Sequence, residues 1–177
     1  FAGANDKKGI SHYFQQALYL TVLLCIAGFS IAYLANIIIL QLDTSPAIAN
    51  LAYDYIHFVK WGVFGFLFFT TYRNMTEGMG MTKPAFYISL LGLAVNIPAN
   101  YIFINGLFGL PVYGGAGCGI ATAIVLTVMA FAQVTYCQMS KKIDAKGLLT
   151  PFEKPNITTI ATITKLGIPI SLATFFE

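Results

Sequence analysis

The sequence predicts an all-α integral membrane protein, and three features carry that prediction. Of its 177 residues, 57% are apolar and only 10% are charged, against roughly 25% charged in a soluble domain. The charges are crowded into short segments. Between them lie two long runs, residues 11–42 and 84–140, that hold no Asp, Glu, Lys or Arg. A soluble chain of this size cannot bury so much apolar surface, because the surface-to-volume ratio of a small domain is too high. A bilayer removes the need to bury it.

The elements follow in order. The first uncharged run holds one long span, roughly Tyr13 to Leu40. A transmembrane helix needs about 20 mostly apolar residues, so this one is tilted or extends beyond the bilayer. The segment "QLDTSPAIAN" breaks it with Asp43 and Pro46. A second span runs from about Tyr53 to Tyr72 and ends at Arg73 and the loop "NMTEGMGMTKP". The second uncharged run is long enough for two spans. Its centre, "NGLFGLPVYGGAGCG", is rich in Gly, carries Pro111 and reads as a turn. It separates a third span, Ala85 to Phe103, from a fourth, Gly117 to Met139. A charged loop follows, "SKKIDAKGLLTPFEKPN", and a last apolar segment begins near Ile157 and reaches Glu177. The opening "FAGANDKKGISHY" has no initiator Met and no signal-peptide pattern. With an end inside an apolar segment, this gives the expectation of an internal stretch of a longer polypeptide.

Orientation comes from the loops. Lys7 and Lys8, Arg73 and Lys83, and Lys141, Lys142, Lys146 and Lys154 fall in three loop segments, while the loops with Asp43 and Pro111 hold no basic residue. The positive-inside rule puts the three basic segments in the cytoplasm and the other two loops outside. The sequons at Asn74 and Asn156 then lie on the cytoplasmic side and are chance matches. The net charge is only +3 and no Lys/Arg stripe runs along a face, which argues against nucleic acid as a partner. Cys25, Cys118 and Cys137 sit in apolar runs without C-x-x-C spacing and read as small buried hydrophobes.

Candidate chemistry falls in three places. Asn96 and Asn100 are four residues apart on one helix face, with Pro98 between them weakening the backbone ladder. Intramembrane amides serve either interhelical contacts or a hydrated cavity, and the spacing allows both. Thr122 is a lone span hydroxyl, which ordinarily bonds its own helix backbone. The glycines of "YGGAGCG" lack the Lys of a phosphate loop. Gly115 and Gly119 instead have the G-x-x-x-G spacing of close helix packing. The second place is Asp54, His57 and Lys60, near the outer end of the second span. It is either a proton relay or an interfacial anchor with Lys60 snorkelling outward, and the anchor is favoured. The third is Glu177. Twelve residues beyond Lys165, at about 1.5 Å each, it reaches roughly 18 Å into a ~30 Å core. A bare carboxylate there costs several kcal/mol unless protonated, paired or hydrated, so it is the prime candidate to hold a proton or cation. No nucleophile–base pair or metal-ligand cluster shares a face, so an enzyme is the least favoured reading.

The stretch "KPAFYISLLGLAVNIPANYIFINGLFGLPVYGGAGCGIATAI" resembles the multidrug and toxic compound extrusion (MATE) transporters, especially their NorM-like branch. "GANDKKGISHYFQQA", "YRNMTEGMGMTKP" and "KLGIPISLATFFE" are similar to the loops after the family's second and fourth helices and to the start of its seventh. The resemblance implies a MATE-type fold, part of a twelve-helix transporter built of two six-helix lobes. Residues 1–139 would be helices three to six of the N-terminal lobe, 140–156 the cytoplasmic linker, and 157–177 the start of helix seven. It further implies a monomeric, multi-pass antiporter of the bacterial inner membrane. This would export cationic small-molecule drugs against Na+ or H+, with no other cofactor. Asn96, Asn100 and Thr122 match polar positions lining the N-lobe cavity, and Glu177 matches an acid on helix seven that binds the cation, a site for Na+. Two further readings stay open: a lipid-linked saccharide flippase of the same superfamily, and a non-transporting structural membrane subunit.

Overall fold

The first uncharged run becomes the longest of the described helices. α1 spans Lys7–Ile39, and the Asp6 side chain caps it by accepting from the Gly9 N–H at 3.0 Å. The computed structural model describes residues 6–41, 45–140, 143 and 148–176. At 33 residues α1 is about 50 Å long, longer than the ~30 Å core of a bilayer. Its excess projects from one end of the bundle, where it meets the charged loop.

The second span differs from the sequence expectation at its start and in its middle. Helix begins at Pro46, inside the segment expected to be a loop, because a proline with Ser45 before it suits the first helical position. Two helices then share the span, α2 (Pro46–Val59) and α3 (Gly62–Gly78). Between them the backbone ladder tightens: the Trp61 N–H donates to Phe58 O and the Val63 N–H to Lys60 O, both three residues back. The pair therefore runs well past Tyr53 and Tyr72 at both ends.

α4 (Lys83–Asn105) and α5 (Gly115–Met139) agree with the expected third and fourth spans to within about two residues at most ends. α4 carries Pro98 inside it and stops at Gly106, whose φ of 67° is the left-handed conformation that ends helices. A short 3-10 turn, Leu107–Gly109, leads into the Gly-rich connection. α6 (Ile157–Phe176) follows the charged loop, and its first turn is held by the Asn156 side chain, which accepts from the Thr159 N–H. α1, α4 and α5 are long and apolar enough to cross a membrane.

α5 is the hub. It packs against α2, α3 and α4; α1 lies on α2 and α3; and α6, among the described helices, packs on α1 alone. The G-x-x-x-G expectation holds and extends. A Cβ on Gly119 would sit 2.6 Å from the Tyr55 carbonyl oxygen of α2, and one on Gly117 would sit 2.7 Å from the Phe103 backbone of α4. Gly115 and Gly119 face one neighbour and Gly117 faces the other. Glycine supplies this close approach because lipid offers no hydrophobic drive and helices must attract by contact.

The bundle has two distinct ends. Phe14 of α1, Tyr72 of α3, Cys137 of α5 and the loop residues Ile143 and Leu148 form one buried cluster. Lys8, Arg73, Lys83 and Lys154 belong to the segments at this end, whereas Pro46 and the Asn105–Gly115 connection lie at the other. The charge pattern that predicted sidedness is thus gathered at one end.

Candidate functional site in the helix bundle

The two asparagines meet. The Asn100 Nδ2 donates to the Asn96 backbone oxygen at 2.9 Å and to its Oδ1 at 3.1 Å. Both are half-buried on α4. The four-residue spacing produces this directly, since i and i+4 stack on a helix. Thr122 donates to the Cys118 oxygen of its own helix at 2.8 Å and shares no hydrogen bond with either asparagine. The asparagine pair leaves acceptor capacity at the Asn96 and Asn100 carboxamide oxygens and so can still coordinate a cation or a water. Glu177 lies outside the described residues. Among the described residues no three His, Cys, Asp or Glu side chains are grouped as a metal site, so the cation expectation rests on Glu177.

A cavity lies elsewhere in the bundle. A groove of about 640 Å³ runs between α1, α3 and α6. Leu20, Leu24, Leu67 and Met75 make its apolar walls, and Thr21, Thr70, Thr71 and Asn74 bring polar groups to it; none of its lining residues is charged, and Asn96, Asn100 and Thr122 do not line it. Thr21 and Thr71 share a 2.6 Å hydrogen bond across the α1–α3 contact.

Lys60 corrects a sequence expectation. Its side chain does not reach outward but is buried against α1. α2 begins earlier than expected, so Lys60 sits after 14 helical residues, about 20 Å along, opposite Phe29 and Tyr33 within α1. It is 6% exposed. Its ammonium lies 5.6 Å from the ring centroids of both Phe29 and Tyr33. His57 stacks on Tyr53 at 5.9 Å and joins no proton chain with Lys60 among the described hydrogen bonds.

The most heavily bonded polar cluster was missed by sequence reasoning. Gln15 and Gln16 of α1 are fully buried. Gln15 donates to the Leu148 and Pro151 carbonyls and accepts from the Glu153 N–H. Gln16 donates to the Lys154 carbonyl and accepts from the Asn156 N–H at 2.7 Å. Ser11 and Tyr19 add bonds to the Leu148 and Glu153 carbonyls. His12 pairs with Glu153 and reaches Thr159 of α6 at 3.0 Å. The signal was the polar stripe 11, 12, 15, 16, 19 at helical spacing inside an uncharged run.

A helical bundle with lipid-sized spans, glycine-mediated contacts, paired intramembrane amides and charge gathered at one end defines a multi-pass membrane protein. The MatE family profile matches residues 1–102, more than half of the chain. The chain is 41% identical over 175 residues to a probable multidrug resistance protein NorM of Shewanella oneidensis, and 36% over 175 residues to the multidrug resistance protein NorM of Photobacterium profundum. It is 38% identical over 176 residues to the multidrug resistance protein MdtK of Yersinia pestis. The chain belongs to the MatE family, and with it to the multi-pass proteins of the bacterial inner membrane. Each alignment covers 99% of this chain and 38% of the relative, so the chain spans well under half the length of the curated relatives it matches.

Proposed function

We propose that the protein containing this chain is a multidrug efflux transporter, not an enzyme, working as an antiporter that exchanges organic cations for Na+ or H+. The observation that carries this reading is the alignment of nearly the whole chain, loops included, with proteins named for multidrug resistance. The geometry supports it. The α4 amide pair offers half-buried neutral oxygens on an apolar helix, able to stabilise a passing cation without the desolvation cost of a fixed charge. In this reading residues 1–139 belong to the N-terminal lobe, 140–156 to the linker and 157–177 to the second lobe. Glu177 supplies the carboxylate at which the coupling ion and a cationic substrate compete. The working unit is a monomer.

The test is export by the full-length protein in a bacterial strain stripped of its own efflux pumps. Expression should lower ethidium accumulation, and inside-out vesicles should take up ethidium only when a Na+ or H+ gradient is imposed. Equal accumulation with and without the protein, at verified membrane expression, overturns the reading. Glu177→Gln keeps the shape and removes the charge; it should abolish gradient-driven ethidium uptake. Full coupled uptake in that variant would make Glu177 structural.

A further inference from the structure

Lys60 stands at the tightened turn between α2 and α3, buried, with its Nζ 5.6 Å from the centroids of the Phe29 and Tyr33 rings. Both distances lie within the ~6 Å at which a ring face attracts a cation. Among the described residues the ammonium has no ion pair and no hydrogen bond; the rings hold it. The aromatic surface continues past Lys60. Phe29 packs on Trp61 at 5.2 Å and on Phe64 at 5.6 Å. Tyr33 and Trp61 are 54% and 57% exposed, so the cluster is open on one side in this chain.

A receptor for a cation is therefore already built, and it is filled by a side chain of the protein. The ring faces suit a large cation with spread charge: it loses little hydration on entering and contacts several rings at once. A small metal ion would need several oxygen ligands, and the four side chains carry only one, the Tyr33 hydroxyl. Two positive charges cannot share the rings in a low-dielectric interior. An incoming cation must wait for the Lys60 stem to swing aside.

We propose that Phe29, Tyr33, Trp61 and Phe64 form an organic-cation subsite, and that Lys60 is a specificity-determining residue that limits its occupancy by placing its own ammonium there. This rests on the reading of the protein as an exporter of organic cations. Lys60 weakens retention of such cations and so favours their release.

The experiment uses purified full-length protein and tetraphenylphosphonium as the probe, with binding read by equilibrium dialysis. Lys60→Met keeps the stem and removes the charge; it should bind the probe about thirtyfold more tightly, the size of one desolvated cation–π contact. Lys60→Arg keeps the charge and should bind as the unsubstituted protein does. Adding Phe29→Leu and Tyr33→Leu to Lys60→Met should erase the gain. The inference is overturned if Lys60→Met shows no gain, if Lys60→Arg gains as much, or if the gain survives loss of the rings. A lowered melting temperature in Lys60→Met transfers the same three criteria to Lys60→Gln. Normal ethidium export by the unsubstituted protein with no gain in Lys60→Met removes this inference and leaves the export reading intact. The converse result, a gain without any export, does the opposite.

Discussion

Asn100 is a residue whose role depends on one partner. Its amide donates twice to Asn96, so replacing it leaves the Asn96 side chain without a donor in an apolar span. Intramembrane hydrogen bonds of this kind contribute about 0.6–2 kcal/mol, too little to unfold a bundle. Asn100→Leu should therefore leave expression near normal and lower the melting temperature only slightly, while cutting ethidium efflux by about tenfold if the pair faces the transport path. Unchanged efflux in the full-length variant would assign the pair to helix packing. The spacing of the two asparagines was legible in the sequence; that they bond each other and not α5 was not, because spacing defines a face and says nothing of what the face meets. Lys60 shows the same limit. Its charge was visible, but its burial depended on which rings of α1 it meets.

At the scale of elements, two joints hold the bundle. The first is α1 to the linker. Gln16 contributes two hydrogen bonds to backbone groups of Lys154 and Asn156, and it is fully buried. Gln16→Ala should strand both groups at about 1–3 kcal/mol each. It should also free the segment, so that a glutamate-specific protease cuts after Glu153 many times faster than in the unsubstituted protein. Unchanged cleavage kinetics and melting temperature would show that the joint carries no stability. The second joint is α5 to its neighbours. A methyl group on Gly119 would press on the Tyr55 carbonyl, a backbone atom that cannot swing aside. Gly119→Ala should cost about 1–3 kcal/mol by overpacking, seen as a lower melting temperature, whereas Gly78→Ala, which meets nothing within 4 Å, should be neutral or slightly stabilising. Similar melting temperatures for both would contradict the packing assigned to α5.

For the whole molecule, the charge asymmetry becomes a statement about sidedness. Lys8, Arg73, Lys83 and Lys154 belong to one end of the bundle, the end the positive-inside rule assigns to the cytoplasm. In a full-length protein with its cysteines replaced by alanine, cysteines at Thr44 and Tyr113 should react with an impermeant thiol reagent in intact cells. One at Lys146 should react only after lysis. Labelling of position 146 from outside would invert the topology.

The sequence by itself determined the class of protein, the place of the three long helices, the end that carries the charge and the family resemblance. These depend on composition and local pattern: a 20-residue apolar run must find lipid whatever surrounds it, and basic loops resist translocation. It also made the glycine spacing of α5 readable. Only the tertiary structure decided which neighbour each glycine serves, that the charged loop is bolted to α1 by Gln15 and Gln16, and that Lys60 is buried under Phe29 and Tyr33. Each of these joins residues far apart in the chain. A glutamine in an apolar run, or a lysine near a helix break, has a cost that depends wholly on its partners, and partners are set by how helices cross, which no local window of sequence contains.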